Sequence, residues 1–205
     1  SSFEVRTAAA IALGKLGDAG ASEALRAAAR KDEHKDVRDA ALLAVGMLGA
    51  EQDVPYLVDV LMDRKESTRH RSFAAFGLGL VGGEDAAAML LRLVEGGGPR
   101  AVGGNRLEGP LEASAYVALG LTGEDIVLPT VRDAAAEHDD DNVRAFAILS
   151  LGRLGDGASR DAVTGFLTDP GFRQRLAEEI QRARGEALAG VALVRLRLSG
   201  LPRDD

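Results

Sequence analysis

Val5-Arg6-Thr7-Ala8-Ala9-Ala10-Ile11-Ala12-Leu13-Gly14-Lys15-Leu16-Gly17-Asp18 decides the fold, because the chain writes it again. Its fifth version reads Val143-Arg144-Ala145-Phe146-Ala147-Ile148-Leu149-Ser150-Leu151-Gly152-Arg153-Leu154-Gly155-Asp156. The Gly-x-x-Gly pair recurs at Gly14/Gly17, Gly46/Gly49, Gly79/Gly82, Gly120/Gly123 and Gly152/Gly155, in steps of 32, 33, 41 and 32 residues. Self-similarity at this period is the mark of a repeat architecture. Within the first copy the apolar column is Val5, Ala8, Ala9, Ala12, Leu13 and Leu16. That spacing is one face of an α-helix. The second copy repeats it as Val37, Ala40, Ala41, Ala44, Val45 and Leu48. The second glycine of each pair suits the left-handed position that stops a helix. The first lies in the last turn and costs about 1 kcal/mol against Ala, so a close helix–helix approach is expected to compensate.

A second apolar helix follows each stop, predicted over 22–31, 53–63, 84–95, 124–137 and 159–168. Asp53, Glu84, Glu124 and Ser159 stand near the expected starts as caps or macrodipole partners. Pro55 and Pro129 fall in first turns, where a missing N–H does no harm. Leu25, Leu57, Leu90, Val131 and Val163 form one buried column, and Ala29, Leu61, Val94, Ala135 and Leu167 the next. Each unit is a helical hairpin that cannot bury its own face, so the units stack. The fold expected is all-α: a solenoid of antiparallel helical hairpins. Five repeats fill residues 1–169, at about 1–34, 35–66, 67–110, 111–140 and 141–169.

Val-Arg-x-Ala-Ala-x-x-Ala-Leu-Gly-x-Leu-Gly-Asp resembles the short HEAT-like repeats named from phycobilisome lyases, within the HEAT/armadillo-like class. The resemblance covers residues 5 to about 169. It implies a right-handed superhelix with the second helices on its concave side. It also implies a ladder from the Arg after each Val (Arg6, Arg38, Arg71, Arg144) to an acid after the glycines (Asp18, Asp156). The fourth copy carries Glu112 in place of the Arg, and copies two and three carry Ala50 and Gly83 in place of the acid.

The long step contains a Gly-rich insertion, residues 96–110, with six Gly and two Pro in fifteen positions. Such a stretch forbids a helix. Arg100, Asn105 and Arg106 in it are a candidate anion-binding loop, helped by glycine N–H groups. A tolerated surface insertion explains the same residues, since long loops cost little extra entropy. Residues 170–205 depart from the repeat and read as irregular capping helices, which solenoid ends require. The first helix begins almost at residue 1 without a polar cap, so another domain or subunit is expected to cover it. The sequence opens without Met, which reads as a processed chain or part of a larger one.

Composition narrows the chemistry. The 205 residues include no Cys and no Trp, and 25 basic side chains face 32 acidic ones, for a net charge of −7. Thiolate metal sites, disulfides and Cys nucleophiles are excluded, and a broad electrostatic grip on nucleic acid is not expected. No apolar run approaches the roughly 20 residues of a membrane span. Glu33-His34 and Glu137-His138 precede equivalent helices, but three repeats apart they cannot share one metal. The run Asp139-Asp140-Asp141-Asn142 reads as capping for the fifth first helix. The run Arg64-Lys65-Glu66-Ser67-Thr68-Arg69-His70-Arg71 reads as a solvated turn, with a phosphate or acidic tail as the other use. No catalytic residues, metal or cofactor are assigned.

Column arithmetic turns Arg26 and Arg30; Val58, Asp59 and Met62; Leu91, Arg92 and Glu95; and Arg132 and Asp133 outward on the second helices. Apolar side chains ringed by Arg have the composition of a protein-binding surface. Val58, Asp59, Met62, Leu91, Arg92 and Arg132 are therefore the candidate partner-binding residues. Sideways packing of Val58 and Leu91 between repeats is the equal alternative. The expected function is a non-catalytic scaffold for protein–protein interaction, the partner being a protein or peptide. A chromophore-handling lyase subunit, which the resemblance allows, and a structural module of a larger protein are the other readings.

Overall fold

The computed structural model describes residues 2–96, 107–160, 163, 164 and 167. Among them every regular element is helical. The first helices of the hairpins are α1 (Phe3–Leu16), α3 (Lys35–Leu48), α5 (Thr68–Val81), α7 (Gly109–Thr122) and α9 (Asp141–Arg153). The second helices are α2 (Ser22–Lys31), α4 (Val54–Met62), α6 (Gly83–Val94) and α8 (Leu128–Glu137). The chain is an α-solenoid: the first helices pack side by side in one layer, and each second helix packs against the first helix of the following hairpin.

The glycine arithmetic has a structural counterpart. Gly17, Gly49, Gly123 and Gly155 take left-handed φ of 67–74° at the ends of their helices, and Gly82 takes φ 73° with extended ψ. The first glycine of each of the first four pairs is a contact point between neighbouring first helices, whereas a Cβ on Gly152 would meet nothing within 4 Å. A Cβ on Gly14 would lie 2.8 Å from Ala44 Cα, one on Gly46 2.4 Å from Gly77 Cα, one on Gly79 2.5 Å from the Ala118 carbonyl, and one on Gly120 2.6 Å from Ser150 Cβ. In every case the opposing residue stands two places before the next repeat's own first glycine. Neighbouring first helices thus approach closely enough that backbone meets backbone, which maximises dispersion contact and offsets the helix propensity lost at glycine.

Burial follows the predicted columns from the second repeat onward. Val37, Ala40, Ala41, Ala44 and Val45 are buried, as are Val143, Ala147, Ser150 and Leu151. Leu25, Leu57, Leu90 and Val131 are buried in the second layer, while Val94 is half-buried with Leu93 buried beside it, and Leu167 is exposed. The first repeat departs from the expectation. Val5, Ala8, Ala9, Ala12 and Leu16 are exposed, and Ala10 and Gly14 are the buried residues of α1. Among the described residues no hairpin precedes α1, so its outward column has nothing to pack against.

The connections differ in detail from the sequence reading. A 3₁₀ turn precedes α2, α4 and α8, at Ala19–Ala21, Glu51–Asp53 and Asp125–Val127: α2 begins at Ser22 as expected, α4 one residue late at Val54 and α8 four late at Leu128, while α6 begins one early at Gly83. Asp18 and Asp156 cap such turns, accepting from the Gly20 and Ala158 amides. Pro55 and Pro129 do sit in first helical turns. Gly109 and Pro110, read as part of the insertion, instead open α7, where the proline ring presets φ for a first turn. The insertion's Arg100, Asn105 and Arg106, and the tail 170–205, lie outside the described residues.

The Arg-to-acid ladder takes another form. Arg6 donates to Asp32 by Nε (2.7 Å) and Nη2 (2.9 Å), at the end of α2. Arg38 donates to the carbonyls of Asp32 and Glu33, and Arg71 to the Leu61 carbonyl. Glu112, at the Arg position of the fourth copy, meets His138, which caps the end of α8 as Asp32 in the first copy caps the end of α2. The charges are exchanged and the latch is kept.

Candidate partner-binding face

The outward rows of the second helices follow from the repeat. Arg26, Val58, Leu91 and Arg132 share one repeat position, Asp59 and Arg92 the next, and Arg30, Met62 and Glu95 a third. The structure brings them onto equivalent faces of α2, α4, α6 and α8, but not to equal exposure. Asp59 and Arg92 are exposed. Val58, Met62 and Leu91 are half-buried and pack against the core cluster. Val58 and Leu91 are therefore neither fully outward nor fully enclosed: each packs against the core and keeps part of its surface in solvent.

Two arginines of this face, Arg26 and Arg132, are held by carboxylates of the following hairpin. Arg132 donates to Asp156 through Nε (2.8 Å) and Nη2 (2.7 Å). That guanidinium, with the Ser159 hydroxyl second, holds the Asp156 carboxyl well below the usual range. The bidentate pair fixes Arg132 rather than leaving it free to reach a partner. Arg26 is paired with Asp53 and bonded to Ser22 Oγ. Asp53 itself is fully buried and accepts from Ser22 Oγ at 2.8 and 2.9 Å. Its position in the sequence reads as a helix cap. In the structure it is a clamp joining the first hairpin to the second, because its 3₁₀ turn points the carboxylate at α2.

Tyr56 was not singled out by the sequence. Its ring lies beneath Arg26 (5.7 Å) and Arg30 (5.0 Å), one hairpin back. Burial raises its phenol pKa, and the hydroxyl has no hydrogen-bond partner among the described residues. The signal lay in two arginines four apart on α2 and an aromatic in the first turn of α4. Cation–π stacking of this kind organises the cations over an apolar plate.

The basic run is a solvated turn only over residues 64–67, and its second half belongs to α5. Arg69 pairs with Asp36 (2.6 Å) and Asp39 (2.8 Å), and its guanidinium lies 5.7 Å over Phe73. His70 is buried with its Nδ1 2.8 Å from Asp39. Ser67 caps α5 by accepting from the His70 amide. These side chains tie α5 to α3 and are spent on the fold. His34 caps α3 and stacks on Phe3 at 3.8 Å, and Asp140 caps α9 by accepting from Asn142 and Val143. Among the described residues no three His, Asp or Glu side chains converge as a metal site would need. No described helix is long and apolar enough to cross a membrane.

The model of HEAT repeats matches residues 1–71 and 109–182. Among solved structures, the complex of CpcE and CpcF of phycocyanin lyase from Nostoc sp. PCC7120 is similar at TM-score 0.58 and 25% identity, over 84% of this chain and 69% of that one. Human deoxyhypusine hydroxylase in complex with glycerol gives TM-score 0.44 and 18% identity, over 91% of this chain and 81% of that one. No curated protein matches the sequence.

Proposed function

The chain belongs to the HEAT-repeat family, and on that premise we propose that it is a non-catalytic scaffold binding a protein or peptide across the second-helix face. The observation that carries this reading is the mixed row on α4 and α6. There the half-buried edges of Val58, Met62 and Leu91 stand beside exposed Asp59 and Arg92. An apolar strip bordered by opposite charges gives a partner both desolvated area and register. Arg132 contributes as a fixed wall of the face, since Asp156 holds it. The test is isothermal titration with the partner recovered from the source organism. Arg92→Ala is expected to weaken binding without moving Tm, and unchanged affinity would remove the face from the proposal.

The likeness to a phycocyanin lyase chain supports a second reading, a subunit that handles a chromophore. Mixing the purified protein with a bilin and recording its visible absorbance separates the two readings. A shifted, intensified band favours the chromophore, and a free-bilin spectrum favours the scaffold.

A further inference from the structure

We propose that Arg30, lying over Tyr56 at the junction of α2 and α4, receives a side-chain carboxylate of an acidic peptide whose apolar neighbour settles on Val58 and Met62. This peptide is the partner of the second-helix face, so its assignment rests on the reading of that face as a peptide-binding surface.

Two guanidinium groups share one tyrosine ring: Arg26 stands 5.7 Å and Arg30 5.0 Å from its centroid. The buried carboxylate of Asp53 neutralises Arg26. Arg30 is exposed and forms no ion pair among the described residues. On α4 and the turn after it, Asp59, Asp63 and Glu66 pair with neither arginine. One cation of the two is thus left without an acid. At Arg132 the chain itself supplies the acid, as Asp156. The fold does not require a cation where Arg30 stands, because its repeat counterparts are Met62 and Glu95. Arg26 and Arg30 both reach toward α4, so the station is complete within α2 and α4.

The chemistry of the station specifies the occupant. A guanidinium over an aromatic ring is ordered and weakly hydrated, while its outward N–H groups stay free to fork onto a carboxylate. The side chain is already placed, so pairing costs less entropy on binding. Met62 holds the place beside Arg30 in the same row and is half-buried, with Val58 one turn before it. A peptide with its acid on Arg30 therefore brings the next residues over an apolar strip.

The test titrates the full chain with an acetylated, amidated octapeptide, Glu-Ser-Leu-Ser repeated twice. NMR follows Arg30 Nε and the Met62 methyl, and circular dichroism checks that each variant is folded. Blocked termini leave the Glu side chains as the peptide's carboxylates, and an extended backbone puts Glu and Leu on one face. Shifts of both signals are expected, with affinity roughly fivefold lower when Gln replaces Glu in the peptide. Arg30→Ala should abolish that difference between the peptides. Arg30→Lys should restore only part of it, because an ammonium lacks the fork. Tyr56→Phe, which keeps the aromatic plate, should leave it unchanged. Equal affinity of the two peptides for the unaltered chain would overturn the proposal, and Met62 shifts with both would then leave the peptide-binding face standing. A Glu–Gln difference that survives Arg30→Ala would place the acid elsewhere and overturn it too. Silence of Arg30 and Met62 toward both peptides would also overturn it, the face itself being decided by the Arg92→Ala titration. Inorganic phosphate that competes with the Glu peptide at equal concentration would reduce the station to a bare anion contact and overturn the assignment to a peptide.

Discussion

The Glu112 carboxylate meets His138 Nε2 at 3.2 Å in the same place in the array where Arg6 meets Asp32. One latch, from the first helix of a hairpin to the end of its second, is built twice with opposite polarity. Glu112 is 7% exposed, so its charge is poorly solvated without its partners. Glu112→Arg is expected to destabilise by roughly 1–3 kcal/mol, as is His138→Asp, and the double variant to recover most of the loss. Urea unfolding of the four proteins closes the cycle. Additive losses in the double variant would show that the two side chains do not form one latch.

Gly46→Ala is expected to destabilise by about 1–3 kcal/mol, although alanine favours the helix. The added methyl would meet Gly77 Cα and its carbonyl oxygen at 2.4 Å, and backbone cannot swing aside as a flexible side chain can. Thermal unfolding measures the change. A stabilised Gly46→Ala protein would contradict the close approach of α3 and α5.

Acid should loosen the first hairpin junction in a defined window. The Arg6 guanidinium, with the His34 amide second, lowers Asp32 to about 2 from an ordinary 3.8. The folded protein then binds that proton less readily than the unfolded chain. The contribution is complete above about pH 4 and is lost as pH falls toward about 2. Arg6→Ala should flatten the stability profile over that interval, read by urea midpoints at successive pH values. An unchanged slope would show that the pair is not linked to folding.

Asp53→Ala is expected to cost about 2–4 kcal/mol. It deletes a fully buried carboxylate and strands Ser22 and the partly buried Arg26. Ser22→Ala, which removes one hydrogen-bond donor, should cost about 1 kcal/mol. Equal effects of the two would mean that the Arg26 pairing adds nothing.

On the second-helix face, Met62→Ala is expected to lower Tm as well as affinity, because Met62 packs on the core cluster. Arg92→Ala should lower affinity alone. Differential scanning calorimetry beside titration separates the two. A drop in Tm for Arg92→Ala would mean that this arginine belongs to the fold.

Much of this was legible from the residues in order. Helical periodicity, the glycine pairs, and prolines in first turns are local effects, set by which dihedrals and faces a few neighbours allow. Even the close approach could be inferred, since a glycine conserved in place within each unit of one chain needs a reason to sit in a last helical turn. The face was half legible: column arithmetic put Val58 and Leu91 outward, but the share of each sealed between repeats depends on the separation of α4 and α6.

What tertiary structure alone decided is which polar groups meet. Asp53 lies 31 residues from Ser22, Asp156 24 from Arg132, and His138 26 from Glu112. No local rule joins them, because each pair brings together residues of different helices or their caps. The same cause leaves the apolar column of α1 uncovered among the described residues. Sequence determines which face of a helix is apolar, whereas burial of that face depends on the neighbour that arrives to cover it.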